Sequence, residues 1–485
     1  MLDIILQLAR IFQDHGKQVY MVGGTVRDLL LHRESSPDAD LTTDATPEEV
    51  KRLVDPTHPK AVVLVGERFG TVRLYYRNEA RSAGFSDEES SAGAVPGEPT
   101  EDIIEITTFR TERYNSDSRK PEVAFGTVLE EDLLRRDFTI NAMARDPLTG
   151  AIIDPFGGRT DLEARVLRAV GNEPEKRFDE DPLRLLRAVR FAAQLDFAIE
   201  PKTAQAIANQ AQTLEKISRE RIRDEMNKIL LSPQPTVGLR LMVDLGLMQW
   251  VIPEVLELRG VSQRPVQSKD VYAHTLQVVQ NTPPRLLTRW AGLLHDIAKP
   301  RTRTIEDGKV HFFGHEDVGA HMARDILRRL KFDREHIEGV TLLVHMHMRS
   351  NAYMSDWTDG AVRRLMLEAD DRLPDLLDLS QADITSYRPE KVNRAVARVQ
   401  ELRARVAYLK EEAERVPLKS PLDGNELMKL FGRGPGPWLK PVKEHLLGLV
   451  IDGKMPPDDK AGAAEEARAF VAAHSELETS SETRG

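Results

Sequence analysis

Three acidic residues are spaced so that they could hold a divalent metal ion together. Asp38 and Asp40 are two positions apart in a strand-like segment, so both side chains should project from one face of a sheet. Glu105 lies between Ile104 and Ile106 in a later strand-like segment, an alternation that would aim it at the same place. Carboxylate oxygens suit Mg²⁺, and a two-metal site can activate an attacking hydroxyl while neutralising a departing pyrophosphate. Because an Asp-x-Asp pair alone is more often a solvated turn, its neighbours decide the interpretation.

A glycine pair precedes these acids in the chain. Gly23-Gly24 ends an apolar strand and begins a helix, so backbone amides there could approach a phosphate group closely. Arg27, one turn into that helix, would add a planar charged fork. A purely structural strand-to-helix turn is the alternative. The Gly-Gly turn and the three carboxylates, taken in this order, favour nucleotidyl transfer.

Arginines recur at every third position in a helix predicted to begin near Pro182. Arg184, Arg187 and Arg190 would form a slowly turning basic stripe, with Asp181 and Arg184 on one face. Cytosine and adenine both present an exocyclic amine beside a ring acceptor, whereas uracil and guanine present a carbonyl there. A carboxylate beside a guanidinium therefore suits C and A, and each buried group left unpaired by a wrong base costs roughly 1–3 kcal/mol. An ordinary i,i+3 salt bridge is the alternative.

The middle of the chain carries histidines on predicted helices. Scattered histidines are usually satisfied core or surface residues, but His295-Asp296 lies inside an apolar helix. Burying both groups is costly unless a metal or another partner compensates. The sequence therefore predicts that a metal ion or another partner compensates this pair.

The elements that must position these residues form an α/β segment followed by a long helical one. Helix and strand patterns alternate over residues 1–153, interrupted by a segment rich in Gly, Ser and Glu at 79–101 that we predict to be a flexible insertion. From Pro155 to about residue 470 the periodicity is helical, with proline breaks between helices. We therefore predict an α+β protein with an α/β head (1–153), a helical neck (154–265), a histidine-rich domain (266–390), a helical tail (391–475) and a disordered end (476–485).

Composition excludes several other classes of protein. The 485 residues, 40% hydrophobic and 30% charged, are typical of a globular protein of several domains. The absence of cysteine removes disulfides, thiolate metal sites and cysteine nucleophiles. A net charge of -10 gives no global attraction to nucleic acid, so RNA binding would need a local basic face. No apolar run approaches the ~18 residues that span a bilayer, and the N-terminus lacks a signal-peptide pattern, so we expect a cytoplasmic location without membrane contact.

Five motifs in one order resemble the nucleotidyltransferases of the polymerase β superfamily, and within it the bacterial class II CCA-adding tRNA nucleotidyltransferases and poly(A) polymerases. They are Gly23-Gly24-Thr25-Val26-Arg27-Asp28, Asp38-Ala39-Asp40, Thr108-Phe109-Arg110, Arg135-Arg136-Asp137-Phe138-Thr139-Ile140-Asn141-Ala142 and Glu180-Asp181-Pro182-Leu183-Arg184. The resemblance implies a polymerase β-like head followed by a mostly α-helical body.

The same resemblance implies roles for individual residues. Asp38 and Asp40 would bind the catalytic Mg²⁺, with Glu105 completing the carboxylate set, and Gly24 and Arg27 would hold the triphosphate. Arg136 would contact the incoming nucleotide and Asp137 its ribose. The base would be read at Asp181 and Arg184, and the nucleotide-binding residues would also include Arg187 and Arg190.

The histidine-rich segment resembles the HD superfamily of metal-dependent phosphohydrolases. The family order of His, His-Asp, His, His and Asp is matched by His274, His295, Asp296, His315, His345 and Asp383. The resemblance implies a metal site with either a hydrolytic or a structural role. Two further segments resemble parts of the bacterial family: Arg110 to Phe125 its flexible loop, typical of enzymes that add the terminal A, and the C-terminal helices the part that holds tRNA.

These observations predict a template-independent enzyme that adds or repairs the 3′-terminal CCA of tRNA. Its substrates would be CTP, ATP and the tRNA 3′ end, and pyrophosphate would be released. A poly(A) polymerase and an A-adding tRNA nucleotidyltransferase are the alternatives within this class, and an HD phosphohydrolase with a degenerate head is the alternative outside it. The sequence leaves open the choice between CCA, CC and A addition, the HD metal, the role of residues 79–101 and the oligomeric state.

Overall fold

The computed structural model describes residues 1–33, 38–65, 70–77, 101–113, 122–262, 270–386, 388–415 and 419–474. The predicted insertion at 79–101 and the predicted disordered end at 476–485 lie outside these residues, except for Glu101. That residue was wrongly assigned to the insertion, because it begins a strand and pairs with Arg77 of the neighbouring strand. The chain forms two compact units, residues 1–251 and 252–485. The finer division into four domains remains a prediction.

The first unit is built on a mixed seven-stranded sheet. In chain order its strands are β1 (Val19–Val22), β2 (Asp38–Thr43), β3 (Ala61–Val65), β4 (Thr71–Arg77), β5 (Glu101–Thr108), β8 (Ala144–Arg145) and β9 (Ile152–Ile153). Their order in the sheet is β3-β4-β5-β2-β1-β8-β9. The pairing of β2 with β5 is parallel and every other pairing in this sheet is antiparallel. Two smaller pairs are β6 (Arg110–Arg113) with β7 (Glu122–Phe125), and β10 (Val166–Leu167) with β11 (Ala198–Ile199).

Helices cover this sheet and continue into the helical part of the unit. They are α1 (Leu2–Asp14), α2 (Gly24–Leu30), α3 (Pro47–Val54), α4 (Leu129–Leu134), α5 (Gly158–Glu163), α6 (Pro174–Glu180), α7 (Leu183–Leu195), α8 (Pro201–Gln210), α9 (Arg219–Leu230), α10 (Pro235–Asp244) and α11 (Met248–Val251). Side-chain caps define where several of these helices begin. A capping box between Thr46 and Glu49 precedes α3, and Ser218 accepts a hydrogen bond from the Arg221 N–H at the start of α9. The predicted change from an α/β head to a helical body is confirmed.

The second unit is almost entirely helical. Its helices are α12 (Glu254–Glu257), α13 (Val271–Asn281), α14 (Leu286–Leu294), α15 (Lys299–Thr302), α16 (His315–Arg329), α17 (Arg334–Asn351), α18 (Asp359–Ala369), α19 (Leu373–Ala382), α20 (Pro389–Arg415), α21 (Gly424–Phe431), α22 (Leu439–Ile451) and α23 (Lys460–Ala473). A hairpin of β12 (Thr304–Glu306) and β13 (Lys309–His311) precedes α16. A separate apolar cluster around Leu427, Trp438 and Leu446 holds the last three helices together. No helix within the described ranges has the length and apolar character needed to cross a membrane.

Candidate functional site

The two central strands bring the three acidic residues together. The parallel register of β2 and β5 pairs Asp40 with Glu105 and Asp38 with Ile103. Because side chains two apart share a face and paired residues project alike, all three carboxylates lie on one face of the sheet. The alternate residues anchor the opposite face in the core: Ala39, Leu41, Ile104 and Ile106. The strand alternation that predicted this arrangement is therefore observed.

Asp40 lies in a crowded, charged environment. Its backbone N–H donates to Thr25 Oγ1 at 2.9 Å, which ties β2 to the start of α2. Loss of surrounding water raises the pKa of Asp40; Arg136 opposes this rise, and the Glu105 and Asp38 carboxylates add to it. A divalent cation would relieve that repulsion, so the residues present fit an ion of this kind.

Glu105 has a cationic partner that the sequence did not indicate. Arg73 of β4 lies directly across from Glu105 in the sheet register. Its Nε and Nη2 both donate to Glu105 Oε1, at 2.8 and 2.5 Å. The third carboxylate is therefore oriented between Arg73 on one side and Asp40 on the other.

The glycine turn brings its backbone close to both an arginine and an acid. Gly23 adopts φ +65°, a conformation that side-chain-bearing residues rarely take. A Cβ at this position would lie 2.9 Å from Arg136 Nη1 and 3.6 Å from Asp40 Oδ2. Arg136, predicted to contact the nucleotide, is thus next to the predicted phosphate-binding turn and next to Asp40, a predicted catalytic carboxylate.

Arg27 is buried and held by side chains on two sides. Its Nε and Nη2 donate to the Asp28 carboxylate at 2.9 and 2.8 Å, and its Nη1 donates to Asn141 Oδ1 at 2.8 Å. The guanidinium carbon also lies 5.2 Å from the centre of the Phe191 ring. These contacts fix the side chain of Arg27, the residue predicted to hold the triphosphate.

Asp137, predicted to contact the ribose, is buried in an ion pair. Arg187 donates to Asp137 Oδ2 through Nε at 2.8 Å and Nη2 at 2.5 Å, and Asn141 donates to Oδ1 at 3.1 Å. Burial alone would raise the pKa of Asp137, but the Arg187 guanidinium and these hydrogen bonds lower it to about 2. Both carboxylate oxygens are engaged, so a ribose contact would have to replace or share one of these bonds.

The predicted base-reading pair does not form a mutual salt bridge. Asp181 Oδ2 accepts from Arg221 Nη2 at 2.8 Å, and its Oδ1 accepts from the Leu183 N–H at 3.1 Å. Arg184 donates instead to Glu180 Oε2 at 2.7 Å and to the Arg135 carbonyl at 2.7 Å. The i,i+3 bridge weighed as the alternative is therefore absent, and both side chains have other partners in this state.

Arg190, the third member of the predicted basic stripe, points into the core. It donates to Glu225 Oε1 at 2.9 Å, and both side chains are buried. Its guanidinium lies 4.3 Å from the Phe191 ring centre, and that of Arg187 lies 5.4 Å from the same centre. The stripe is thus three arginines with three different anionic partners, two of them gathered with Arg27 around one aromatic ring.

Four imidazoles of the second unit converge on one aspartate. Asp296 Oδ2 lies 3.2 Å from His295 Nε2 and 3.4 Å from His274 Nε2, and its Oδ1 lies 3.6 Å from His315 Nε2 and 3.9 Å from His347 Nε2. Two groups could each hold a metal ion: His274, His295 and Asp383, and Asp296, His315 and His347. This geometry agrees with one or two transition metal ions, nitrogen and oxygen being suitable ligands for either number.

The other ring nitrogens fix how these imidazoles point. His295, His315 and His347 each place Nδ1 at hydrogen-bond distance from a carbonyl three residues earlier, of Gly292, Phe312 and Val344 respectively. His274 Nδ1 is 2.8 Å from Thr385 Oγ1. Such outer contacts orient metal-binding imidazoles and select the tautomer with a free Nε2.

Three buried atoms at the centre lack hydrogen-bond partners within the described part of the chain. They are Asp296 Oδ1, His315 Nε2 and His347 Nε2. Burial lowers the pKa of His347 to about 4, so this imidazole is neutral at neutral pH and able to donate a lone pair. Three unpartnered polar atoms aimed at one point are costly without an occupant, and together they match a metal ion.

The assignment of His345 to this centre was wrong. His345 is more than half exposed and lies 2.9 Å from Asp317 Oδ1, whereas buried His347 fills the predicted place. Residues two apart on a helix differ by about 200° in direction, so only one of the two can face the core. Val340, Leu343 and His347 follow the i, i+3, i+7 apolar spacing, a signal that could have identified the correct histidine.

Comparison with protein families divides the chain into three matched segments. Residues 19–168 match the model of the poly(A) polymerase head domain. Residues 196–258 match a probable RNA- and SrmB-binding site of polymerase A, and residues 271–388 match the HD domain. The carboxylate face lies in the first segment and the histidine centre in the third.

Curated relatives extend the likeness over most of the chain. The A-adding tRNA nucleotidyltransferase of Deinococcus radiodurans is 36% identical over 359 residues, 71% of this chain and 79% of that protein. The CCA-adding enzyme of Geobacillus sp. is 31% identical, covering 93% of each chain, and the CC-adding tRNA nucleotidyltransferase of Thermus thermophilus is 33% identical, covering 94% and 93%. This chain belongs to the family of tRNA nucleotidyltransferases.

A solved structure of the same family agrees with the fold. The CCA-adding enzyme of Bacillus stearothermophilus in complex with CTP aligns with a TM-score of 0.69 at 27% identity, covering 97% of this chain and 98% of that one. The predicted membership of the tRNA nucleotidyltransferase family and the predicted HD domain are confirmed. For this family member, sequence reasoning missed Arg73, Arg221 and His347, together with the buried Asp132 of α4.

Proposed function

We propose that this protein is a template-independent tRNA nucleotidyltransferase that adds or repairs the 3′-terminal CCA of tRNA from CTP and ATP. The parallel register of Asp40 with Glu105, which gathers three carboxylates beside a glycine turn, carries this proposal. Full-length similarity to a CCA-adding enzyme supports CCA addition as the activity. We further propose that the protein works in the cytoplasm, where tRNA is matured.

The residues of the first unit suit each part of this reaction. The 3′-hydroxyl of tRNA would attack the α-phosphorus of the nucleotide, forming the new phosphodiester while the bond to pyrophosphate breaks. Asp38 and Asp40 would hold Mg²⁺, which when bound favours loss of the hydroxyl proton and neutralises phosphate charge. Arg27 and Arg136 would compensate the negative charge of the triphosphate beside the Gly23 turn.

Base selection would require Asp181 and Arg184 to exchange partners. In the structure Asp181 is paired with Arg221 and Arg184 with Glu180. Replacing these bonds by bonds to C or A preserves the count, whereas U or G would leave donors facing donors and acceptors facing acceptors. We propose that this exchange is part of nucleotide selection.

One assay separates the activities found among the relatives. Three tRNA substrates, ending before CCA, after C and after CC, are incubated with CTP, with ATP or with both, and the products are sequenced. We expect stepwise addition of C, C and A that stops at CCA. Products that end at CC would instead indicate a CC-adding enzyme, and extension of only the CC-ending tRNA would indicate an A-adding enzyme. Long A tracts would indicate a poly(A) polymerase.

We propose a second, metal-dependent phosphohydrolase activity for the HD domain. It is supported by the two ligand groups, of which the second contains Asp296, and by the three buried atoms of that second group that lack hydrogen-bond partners within the described part of the chain. A bound transition metal ion would supply an activated water for attack on a phosphate ester.

A matched pair of histidine variants tests this second site. His347→Ala removes a buried ligand, whereas His345→Ala removes an exposed histidine from the same helix. Metal content after dialysis should fall in the first variant and stay at the level of the unmodified protein in the second. Equal metal content in the two variants would contradict the assignment of His347.

A further inference from the structure

A fully buried carboxylate lies on the same face of the sheet as the three acidic residues. Asp132 of α4 has no solvent exposure. Its Oδ1 accepts from Arg135 Nε at 2.9 Å and Nη2 at 2.5 Å, and its Oδ2 accepts from Arg136 Nη2 at 3.3 Å and Thr42 Oγ1 at 3.4 Å. Both oxygens are therefore used, and two of the three partners are adjacent arginines.

The contact with Thr42 links this carboxylate to the catalytic strand. Thr42 is two residues beyond Asp40 on β2, so the two side chains project to the same side. The Thr42 hydroxyl also has the Thr107 carbonyl of β5 within 3.0 Å. Asp132 is thereby placed in fixed relation to the two strands that bear the metal-binding carboxylates.

The contact with Arg136 fixes one edge of its guanidinium. Nη2 is bonded to Asp132, while Nη1 is directed to the Gly23 turn, 2.9 Å from the position of a Cβ there. The Nε atom is buried and has no hydrogen-bond partner among the described residues. The Nη1 end, directed away from Asp132, thus carries donor capacity next to the predicted triphosphate site.

Opposite charges hold Asp132 and its two arginines together. Burial would raise the pKa of Asp132, but the Arg136 and Arg135 guanidinium groups lower it below the ordinary value, so the carboxylate is ionised. A buried carboxylate without a partner is strongly unfavourable, and a guanidinium satisfies it with directional bonds. The buried charge therefore restrains a side chain that would otherwise sample many rotamers.

We propose that Asp132 is a positioning residue for nucleotide binding, which holds the Arg136 guanidinium between the Gly23 turn and Asp40 so that it meets the incoming triphosphate. The proposal rests on the nucleotidyltransferase function proposed above. Asp132 itself touches no substrate in this scheme and acts through Arg136.

The test begins with Asp132→Asn, which keeps the shape of the side chain and removes its charge. We expect the KM for CTP and for ATP to rise roughly tenfold, the effect of weakening one charge-assisted contact, with a smaller change in kcat and an unchanged KM for tRNA. Asp161→Asn is the matched control, because Asp161 is a buried aspartate of the same unit that bonds Thr139 and Arg168 instead. It should leave the KM for both nucleotides unchanged.

A double-mutant cycle separates positioning from a general structural role. If Asp132 acts through Arg136, then Asp132→Asn should raise the nucleotide KM much less in an Arg136→Ala background than alone. Independent, multiplying effects of the two substitutions on KM would overturn the proposal. So would equal nucleotide KM values for Asp132→Asn and Asp161→Asn.

Two further measurements keep the proposal testable if a variant folds poorly or turnover is absent. Thr42→Val removes the hydroxyl that lies 3.4 Å from Asp132 Oδ2 and 3.0 Å from the Thr107 carbonyl, while both arginine contacts of Asp132 remain. A smaller rise in the nucleotide KM is expected, and an unchanged KM would count against the proposal. Equilibrium binding of CTP with Mg²⁺ is also compared between the unmodified protein and Asp132→Asn. A protein that fails to extend tRNA refutes the proposed function, whereas weaker CTP binding by Asp132→Asn still supports positioning, and equal binding refutes it.

Discussion

The carboxylate face of the first unit and the histidine centre of the second differ in how far their side chains are exposed and in what fixes them. Asp38 and Asp40 retain exposed surface at the sheet, although neighbouring groups crowd the Asp40 carboxylate. The arginines near Asp40, Arg27 and Arg136, already have other partners. The imidazoles of His295, His315 and His347 are buried, and backbone carbonyls fix them with Nε2 toward Asp296. In the proposed function, the first arrangement would admit a large, charged and changing substrate, whereas the second would be preorganised for a resident metal ion.

The largest expected effect separates the two regions by activity. Asp40→Ala should lower nucleotide incorporation at least about a thousandfold, because metal-assisted charge stabilisation contributes several kcal/mol to the transition state. The metal content of the histidine centre should not change. Incorporation is measured with tRNA ending after CC, and full activity of the variant would refute the role of the carboxylate face.

The next prediction concerns Asp181, a partly buried residue that would exchange partners in the proposed base selection. Asp181→Ala should raise UTP incorporation relative to CTP by roughly 10- to 100-fold, since one unpaired buried group accounts for about 1–3 kcal/mol of discrimination. Competition between the two nucleotides on tRNA lacking CCA measures this ratio. Asp179→Ala, which removes a nearby aspartate bonded to Gln210, is the control. Unchanged rejection of UTP in Asp181→Ala would remove this residue from base selection.

A smaller effect is expected from an outer contact of the histidine centre. Asn351 donates to Asp383 Oδ2 at 2.6 Å and so orients a carboxylate of the first ligand group. Asn351→Ala should weaken metal affinity by about 10-fold, at the lower end of the range for lost outer contacts. Metal titration against a competing chelator measures it, and nucleotide addition serves as the internal control. Unaltered affinity would mean that Asp383 is oriented by its other partners.

The smallest effect should come from the misassigned histidine. Asp317→Ala removes the exposed partner of His345, and both side chains are more than half exposed. Exposed ion pairs contribute little, so the free energy of unfolding should change by no more than about 0.5 kcal/mol, and metal content should stay the same. Chemical unfolding and metal analysis check both values. Loss of metal would show that His345 belongs to the centre after all.

Features that depend on local periodicity were predictable from the sequence. Strand alternation placed Asp38, Asp40 and Glu105 on one face, and the family motifs identified a nucleotidyltransferase head and an HD domain. The choice of His345 over His347 failed because motif order was followed without the phase of the helix.

Long-range partners could not be predicted in the same way. Arg221, which bonds Asp181, lies in a different helix from that residue. Arg73 and Glu105 lie in adjacent strands that the predicted insertion separates in the sequence. Both pairings depend on the tertiary packing of the elements. The chain has so many acidic and basic residues that the sequence alone does not indicate which of them form pairs. Asp132 was overlooked because nothing local distinguishes a buried aspartate in an acidic helix turn from a solvated one.

The parallel pairing of β2 with β5 also determines when a competent site can exist during folding. Its two strands are far apart in sequence, whereas helices such as α7 form from neighbouring residues. Contacts between distant segments require an entropically costly loop closure and tend to form slowly. A shift of this pairing by one residue would turn Glu105 to the opposite face from Asp40. The three carboxylates therefore come together only when β2 and β5 pair in the native register.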